Sequence, residues 1–285
     1  MLKNERVTFV GGGTMGEAII KVLVNKELIP PQQITASEPR DTRREELAAQ
    51  HGINVTADNV AAIGEATIVV LSVKPQVLPV VLDELRSKIP PAAVVLSIVA
   101  GVSTTTLTAG LNHQAVVRAM PNTPAQVGEG MTVWIATDET PEEQRQQVRA
   151  ILQAMGHEIQ VHVERELDMA TAVSGTGPAY VFLVMEAMTD AAVHLGFSRY
   201  VARQLVLQTV LGSVLYAGQS DEHLAHMRNM VTSPGGTTAD ALYQMEKGSL
   251  RTVISKAIWA AYQKSCLLGQ MQPALNGPVE KSLDS

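Results

Sequence analysis

Gly11, Gly13 and Gly16 stand in the spacing G-x-G-x-x-G. They come directly after an apolar run, Val7–Val10, and directly before a helical pattern through Ala18, Ile19, Val22 and Leu23. The spacing has a mechanism. The first glycine makes the tight turn, the second lets a pyrophosphate touch backbone, and the third lets helix pack on strand. Glycines also mark plain turns; the position between a strand and a helix is what favours a dinucleotide site.

A second stretch offers anion chemistry: Val231-Thr232-Ser233-Pro234-Gly235-Gly236-Thr237-Thr238. Ser233 reads as an N-cap with Pro234 at the first helical position, opening a helix through Ala239, Leu242 and Met245. Its first turn then holds two glycines and two threonines. Backbone N–H groups, hydroxyls and little steric cover suit a small anion. An ordinary capped helix start would read the same way locally.

The end of the second strand, Ser37-Glu38-Pro39-Arg40, bears on cofactor choice. Glu38 follows Gly16 by 22 residues, near the ~20 expected of an acid that binds a ribose 2′-hydroxyl. Arg40 and Ser37 are suited instead to a 2′-phosphate, and a polar turn is a third reading. The balance leans to NADPH, with NADH also possible. Three further loops follow apolar runs, where ligands sit in open α/β sheets. They are Ser72–Gln76, Ser97–Val102 and Arg118–Ala125, the last stiffened by Pro121 and Pro124.

These segments need a scaffold. Strand-like runs at Val7–Val10, Ile34–Ala36, Ile68–Val73, Val94–Val99, Val116–Ala119, Met131–Ala136 and Ile159–Val163 alternate with helices at Asp41–Gln50, Gln76–Ile89 and Glu142–Met155. The continuous apolar runs are those of strands buried on both faces, so the expected fold is α/β with a parallel doubly wound sheet over 1–163. From Glu164 the pattern turns helical: Glu164–Val173, Ala179–Leu195, Ser198–Ala217, Asp221–Met230, Thr238–Lys247 and Leu250–Leu268. Ala179–Leu195 is apolar nearly all round. A helical domain over 164–270 that cannot cover such helices alone predicts an obligate homodimer through this half. Residues 271–285 are expected as a disordered tail.

Composition narrows the function further. The 285 residues carry a net charge of −6 with no basic stripe, which argues against nucleic acid. Cys266 is the single cysteine, so no intrachain disulfide forms. The longest apolar stretch, Ala92–Val102, is too short to span a bilayer, and the first strand begins too early to leave room for a signal peptide. The expectation is a cytoplasmic α/β enzyme without a membrane partner. His223 and His226 share a helix face, but no third ligand accompanies them, so no metal is expected.

With these residues in view, the chain resembles the pyrroline-5-carboxylate reductases, up to about Leu268. The resemblance rests on Phe9–Ala18, Val70–Gln76 (VLSVKPQ), Ser97–Val102 (SIVAGV), Val117–Ala125 (VRAMPNTPA), Val173–Tyr180 (VSGTGPAY) and Val231–Thr238 (VTSPGGTT). It implies an N-terminal Rossmann domain, an all-α dimerisation domain, an active site at the subunit junction and, often, decamers. Gly11, Gly12, Gly13, Thr14 and Met15 would cradle the pyrophosphate. Ser37, Arg40 and Asn59 would lie toward the adenosine, and Val73, Lys74 and Pro75 along the cofactor cleft. Ala100, Gly101 and Asn122 would lie by the nicotinamide. Gly236, Thr237 and Thr238 would bind the substrate carboxylate, and the Thr171 hydroxyl would face the ring nitrogen. Met230 departs from the asparagine of many relatives. The implied reaction is hydride transfer to a cyclic imine, largely a matter of positioning. Two rival readings are a hydroxyacid-dehydrogenase-like oxidoreductase and a non-enzymatic NADP-binding sensor. The first usually carries a lysine where Ser174–Tyr180 has none; the second has no reason to keep Val231–Thr238.

Overall fold

The computed structural model describes residues 2–270; the 271–285 stretch lies outside the described residues. Contacts divide the described chain into two compact units, 2–175 with 261–270, and Thr176–Ala260.

The first unit is built on eight strands: β1 (Val7–Val10), β2 (Ile34–Ser37), β3 (Asn54–Thr56), β4 (Ile68–Leu71), β5 (Val94–Ser97), β6 (Val116–Met120), β7 (Gly130–Ala136) and β8 (Gly156–Gln160). Their order is β3-β2-β1-β4-β5-β6-β7-β8. Neighbours run parallel except β6 and β7. The order reverses between β1 and β4, which opens a crevice at their carboxyl ends. β1, β4 and β5 are buried at every residue. Alternate side chains feed two cores: Phe9, Val70 and Leu96 enter one, Val10, Leu71 and Val95 the other. Helices α1 (Thr14–Asn25), α2 (Asp41–His51) and α6 (Glu142–Ala154) contribute to the first core. Helices α3 (Asn59–Ile63), α4 (Leu78–Leu85) and α5 (Thr104–Leu111) contribute to the second. The unit ends in α7 (Arg165–Ala170) and a π-helical turn, Thr171–Gly175.

Several elements differ from the sequence expectation. β3, α3 and α5 were not anticipated. The first two are too short to show a period, and α5 is rich in β-branched threonine, with Ser103 accepting the Thr106 N–H as its cap. β8 begins earlier than Ile159 because Gly156 pairs with Gly130. There the two backbones meet so closely that a Cβ on Gly156 would lie 2.1 Å from the Gly130 oxygen. The helix expected over Glu164–Val173 gives way to the π turn at Thr171 and packs with the first unit, not with the helices that follow.

The second unit holds α8 (Gly177–His194), α9 (Arg199–Gly218), α10 (Leu224–Met230), α11 (Thr237–Lys247) and the first half of α12 (Leu250–Gln270). α8 and α9 pack against each other. Across Thr176–Ala260 only Ala202, Val206 and Met227 are buried. The opening of α11 corrects the sequence reading. Ser233 does not cap the helix, and Pro234 is not its first residue. The Ser233 carbonyl accepts the Gly236 N–H at 3.1 Å, and Gly235 has φ +68°. Pro234-Gly235 therefore forms a turn of the type II kind. Gly236 is the cap residue, and Thr237 begins the helix.

Candidate active site

The glycine loop sits at the carboxyl end of β1, beside the point where strand order reverses. Gly11 has φ +104°, and a Cβ there would stand 3.0 Å from the Ser72 backbone. Gly16 is equally confined, since a Cβ would lie 2.8 Å from the Gly11 oxygen. Gly13 is different. It caps α1 in an extended conformation with no side-chain cap, and a Cβ on it would meet nothing within 4 Å. The first donors of α1 are thus left to a ligand. Thr14 is exposed, while Met15 packs on the first core.

The peptides of Gly12 are clamped from both sides. Its N–H donates to Glu38 Oε2 at 3.2 Å, and its carbonyl accepts Arg43 Nε at 2.9 Å. Arg43 also reaches Glu17 Oε2 at 2.6 Å, and Glu17 Oε1 lies 3.2 Å from His51 Nε2. Burial raises the Glu17 carboxyl, but hydrogen bonds from Arg43 and His51 outweigh it and leave the group below its ordinary range. Sequence reading missed Arg43, which lies in the charged pattern of α2, and Glu17, a lone acid in the first turn of the apolar helix α1.

At the end of β2, Glu38 is 5% exposed. Its Oε1 accepts both the Arg40 backbone N–H at 3.3 Å and Arg40 Nε at 2.8 Å. Burial pushes this carboxyl up, and the Arg40 bonds with the Gly12 N–H bring it below the ordinary value. Glu38 is therefore tied into the loop, and the exposed group at this strand end is Arg40. Ser37 is buried, and its hydroxyl has no hydrogen-bond partner. A cradle that Gly13 leaves open, an orphaned hydroxyl and an exposed guanidinium at one sheet edge fit a phosphorylated dinucleotide.

The remaining expected residues occupy the other strand ends. Val73, Lys74 and Pro75 follow β4; Val73 packs on the second core and Lys74 is exposed. Ala100 and Gly101 follow β5. Gly101 has φ +74°, and a Cβ there would contact the Gly269 nitrogen at 3.4 Å. Asn59 opens α3 and donates to Glu84 Oε2 at 2.8 Å. Asn122 follows β6, and both ends of its amide are engaged. Oδ1 accepts the Met131 N–H at 2.9 Å, and Nδ2 donates to the Ser174 carbonyl at 3.1 Å. The side chain thus ties the loop after β6 to the π turn.

Thr171 begins that turn, and its Oγ donates to the Leu167 carbonyl at 2.7 Å. π turns that interrupt helices are frequent at functional sites. Behind it lies a polar cluster that the sequence reading passed over. Arg118, 5% exposed on β6, reaches Glu164 Oε1 at 2.9 Å and Asp168 Oδ1 at 3.5 Å. A charged residue inside the apolar strand pattern Val116–Ala119 was the available signal.

The expected carboxylate residues lie in the second unit. Gly236 caps α11 without a side-chain bond. Thr237 is exposed and Thr238 half-buried at the first two helical positions. Among the described residues no group of three or more histidine, cysteine or carboxylate side chains is arranged to hold a metal. His223 is used as a cap: its Nδ1 accepts the Ala225 N–H at 3.1 Å. No helix among the described residues is long and apolar enough to cross a membrane.

Known proteins resemble the chain along nearly its whole length. Residues 164–268 match the family model for pyrroline-5-carboxylate reductase dimerisation, and 6–101 match that for NADP oxidoreductase, coenzyme F420-dependent. A pyrroline-5-carboxylate reductase from Synechocystis is 41% identical over 261 residues, 92% of this chain and 97% of that one. The structure of such a reductase from Coxiella burnetii superposes with a TM-score of 0.86 at 34% identity, covering 93% of this chain and 99% of the other. The Plasmodium falciparum pyrroline carboxylate reductase, solved with NADP bound, gives 0.86 at 31%, covering 94% and 100%. Identity at this level across both chains is that of a shared family: the chain belongs to the pyrroline-5-carboxylate reductases.

Proposed function

We infer that this protein reduces the C=N bond of 1-pyrroline-5-carboxylate to give L-proline, the last step of proline biosynthesis, with NADPH as the preferred reductant. The observation that carries this reading is kinship over the full length of both units, 41% identity across 97% of a reductase of that name. This kinship favours the reductase over both rivals, a hydroxyacid dehydrogenase and a cofactor-binding sensor.

The residues present fit the cofactor. Gly11–Met15 would hold the pyrophosphate on the α1 donors. Ser37 and Arg40 would hold a 2′-phosphate, with Asn59 toward the adenosine side. Val73, Lys74, Pro75, Ala100, Gly101 and Asn122 would shape the cleft at the strand ends. When bound, NADPH supplies the hydride that C5 of the ring receives, while the ring nitrogen keeps its proton. The chain has to hold the cationic imine and exclude water. Gly236, Thr237 and Thr238 would bind the carboxylate through the uncapped start of α11. Thr171 would orient and hydrogen-bond the ring nitrogen. A substrate that arrives protonated needs no strong acid from the protein, so most of the rate comes from placement.

The division of labour follows the proposed domains: 1–163 for the cofactor, and 164–270 for substrate and dimerisation. The protein would work in the cytoplasm as a homodimer through its helical half, with dimers assembling into decamers.

The test is loss of NADPH absorbance with pyrroline-5-carboxylate, beside a panel of 2-hydroxy and 2-keto acids. Turnover of the panel alone overturns the assignment. Thr171→Val should lower kcat by ~10–100-fold, the value of one contact worth ~1.4–2.7 kcal/mol. Thr238→Val should raise KM for the imine more than KM for NADPH. Arg40→Ala should lower the ratio of kcat/KM for NADPH over NADH.

A further inference from the structure

We propose that Arg118 is a positioning residue of this reaction: its guanidinium joins the helix that presents Thr171 to the strand ends that present Gly101 and Asn122. The inference rests on the reading of Thr171 given above.

Arg118 lies on β6, paired in register with Ser97 of β5, the residue that opens the Ala100–Gly101 loop. Four residues further on, the same strand delivers Asn122. The side chain is 6% exposed, which leaves little room for a role on the surface. Its two Nη atoms go to two carboxylates one helical turn apart, Glu164 and Asp168, at 2.9 and 3.5 Å. Those carboxylates flank the start and middle of α7, and Thr171 follows directly.

Each carboxylate has a second duty. Glu164 Oε1 also accepts the Thr104 N–H at 2.7 Å, and Oε2 accepts the Thr104 hydroxyl at 3.1 Å. That fixes α7 to the start of α5, three residues beyond Gly101. Asp168 Oδ1 accepts the Ser265 hydroxyl at 2.9 Å. That fixes α7 to the end of α12, whose Gly269 backbone lies against Gly101. One buried cation thus organises β6, α5, α7 and α12 together. A lone helix contact would not need this arrangement, because Leu167 already buries α7 against the sheet. The cluster adds direction: a planar fork on two acceptors sets rotation and height of the helix, and so the place of the Thr171 oxygen. Lysine would keep the charge but carry its donors on one nitrogen, without the planar fork that spans two separated acceptors.

The test is a double-mutant cycle with two readouts. Arg118→Lys should lower kcat by about tenfold, one placement contact in size, while the Kd for NADPH by fluorescence stays within about twofold. Gly11–Gly16 and Arg40 stand at other strand ends and do not touch the cluster. In a Thr171→Val background the same substitution should cost less than about twofold in kcat, since the residue it places is gone. Asp168→Asn, which keeps shape and the Ser265 acceptor, is run in both backgrounds in case Arg118→Lys does not fold. It should show the same pattern with a smaller drop. If Thr171→Val impairs kcat and the Arg118 and Asp168 effects remain fully additive with it, Arg118 is structural only and the inference fails. Equal losses in NADPH affinity and kcat overturn it too. If Thr171→Val is itself fully active, the reading of Thr171 fails first, and this inference with it.

Discussion

β1 and α8 are both apolar, and the structure treats them in opposite ways. Val7, Phe9 and Val10 are fully enclosed. On α8, Phe182 is 61% exposed and Leu183 66%, and no residue of that helix is buried. The first unit closes its core on itself with two helical layers. The second has Ala202, Val206 and Met227 inside and a broad apolar exterior. Exposed apolar surface on that scale marks a surface that another chain covers, which agrees with the dimerisation region matched over 164–268. One unit is thus stabilised by its own sequence, and the other by concentration as well.

The largest effect should come from charging α8. Phe182→Glu with Leu183→Glu is expected to leave a 30.5 kDa species in light scattering, since each unpaired buried charge costs about 3–5 kcal/mol. If the doubly charged protein keeps its assembled mass, the contrast between the units is wrong. Next comes Phe9→Ala, expected to cost about 3–5 kcal/mol by cavity formation. Its lowered Tm should be set by the first unit, whereas Tm changes from α8 should depend on protein concentration. The glycine loop gives a finer contrast. Gly12→Ala would drive a Cβ to 2.6 Å from Leu47 Cδ1, which overpacking puts at about 1–3 kcal/mol. Gly13→Ala meets nothing; it should leave Tm unchanged and raise KM for NADPH. The smallest effect is on acid stability. Glu17 and Glu38 both titrate below their ordinary 4.5 when folded. Their contribution is therefore complete above 4.5 and is lost as pH falls through the lowered folded values. Glu38→Gln should flatten the acid limb of a Tm–pH profile, and a limb unchanged by it would show that the clamp on Gly12 contributes nothing.

The sheet was legible because parallel strands buried on both faces must be apolar almost throughout. Val7–Val10, Ile68–Leu71 and Val94–Ser97 announce themselves in that way. Asn54–Thr56 is a three-residue edge strand with exposed or half-buried side chains, so no such constraint acts on it. The glycine loop was legible because Gly11 and Gly16 answer to local backbone geometry. Arg118 was not, because its partners lie 46 and 50 residues away and are chosen by tertiary placement. The same holds for Asn122. Its motif was plain, but only the structure has its amide joining Met131 to Ser174. Pro234 misled for a local reason: proline suits both the first residue of a helix and the second of a turn, and Gly235 at positive φ decides for the turn.

The bond between Arg40 and Glu38 has a consequence for anyone redesigning reductant choice. Removing the Arg40 side chain takes away a cation and leaves Glu38 Oε1 with the backbone N–H of residue 40 as its one remaining partner from that residue. Oε1 would then have accepting capacity to spare at a strand end where ribose diols are usually bound. One substitution would therefore weaken the phosphorylated cofactor and improve the plain one together, so selectivity would swing further than the loss of a single ion pair.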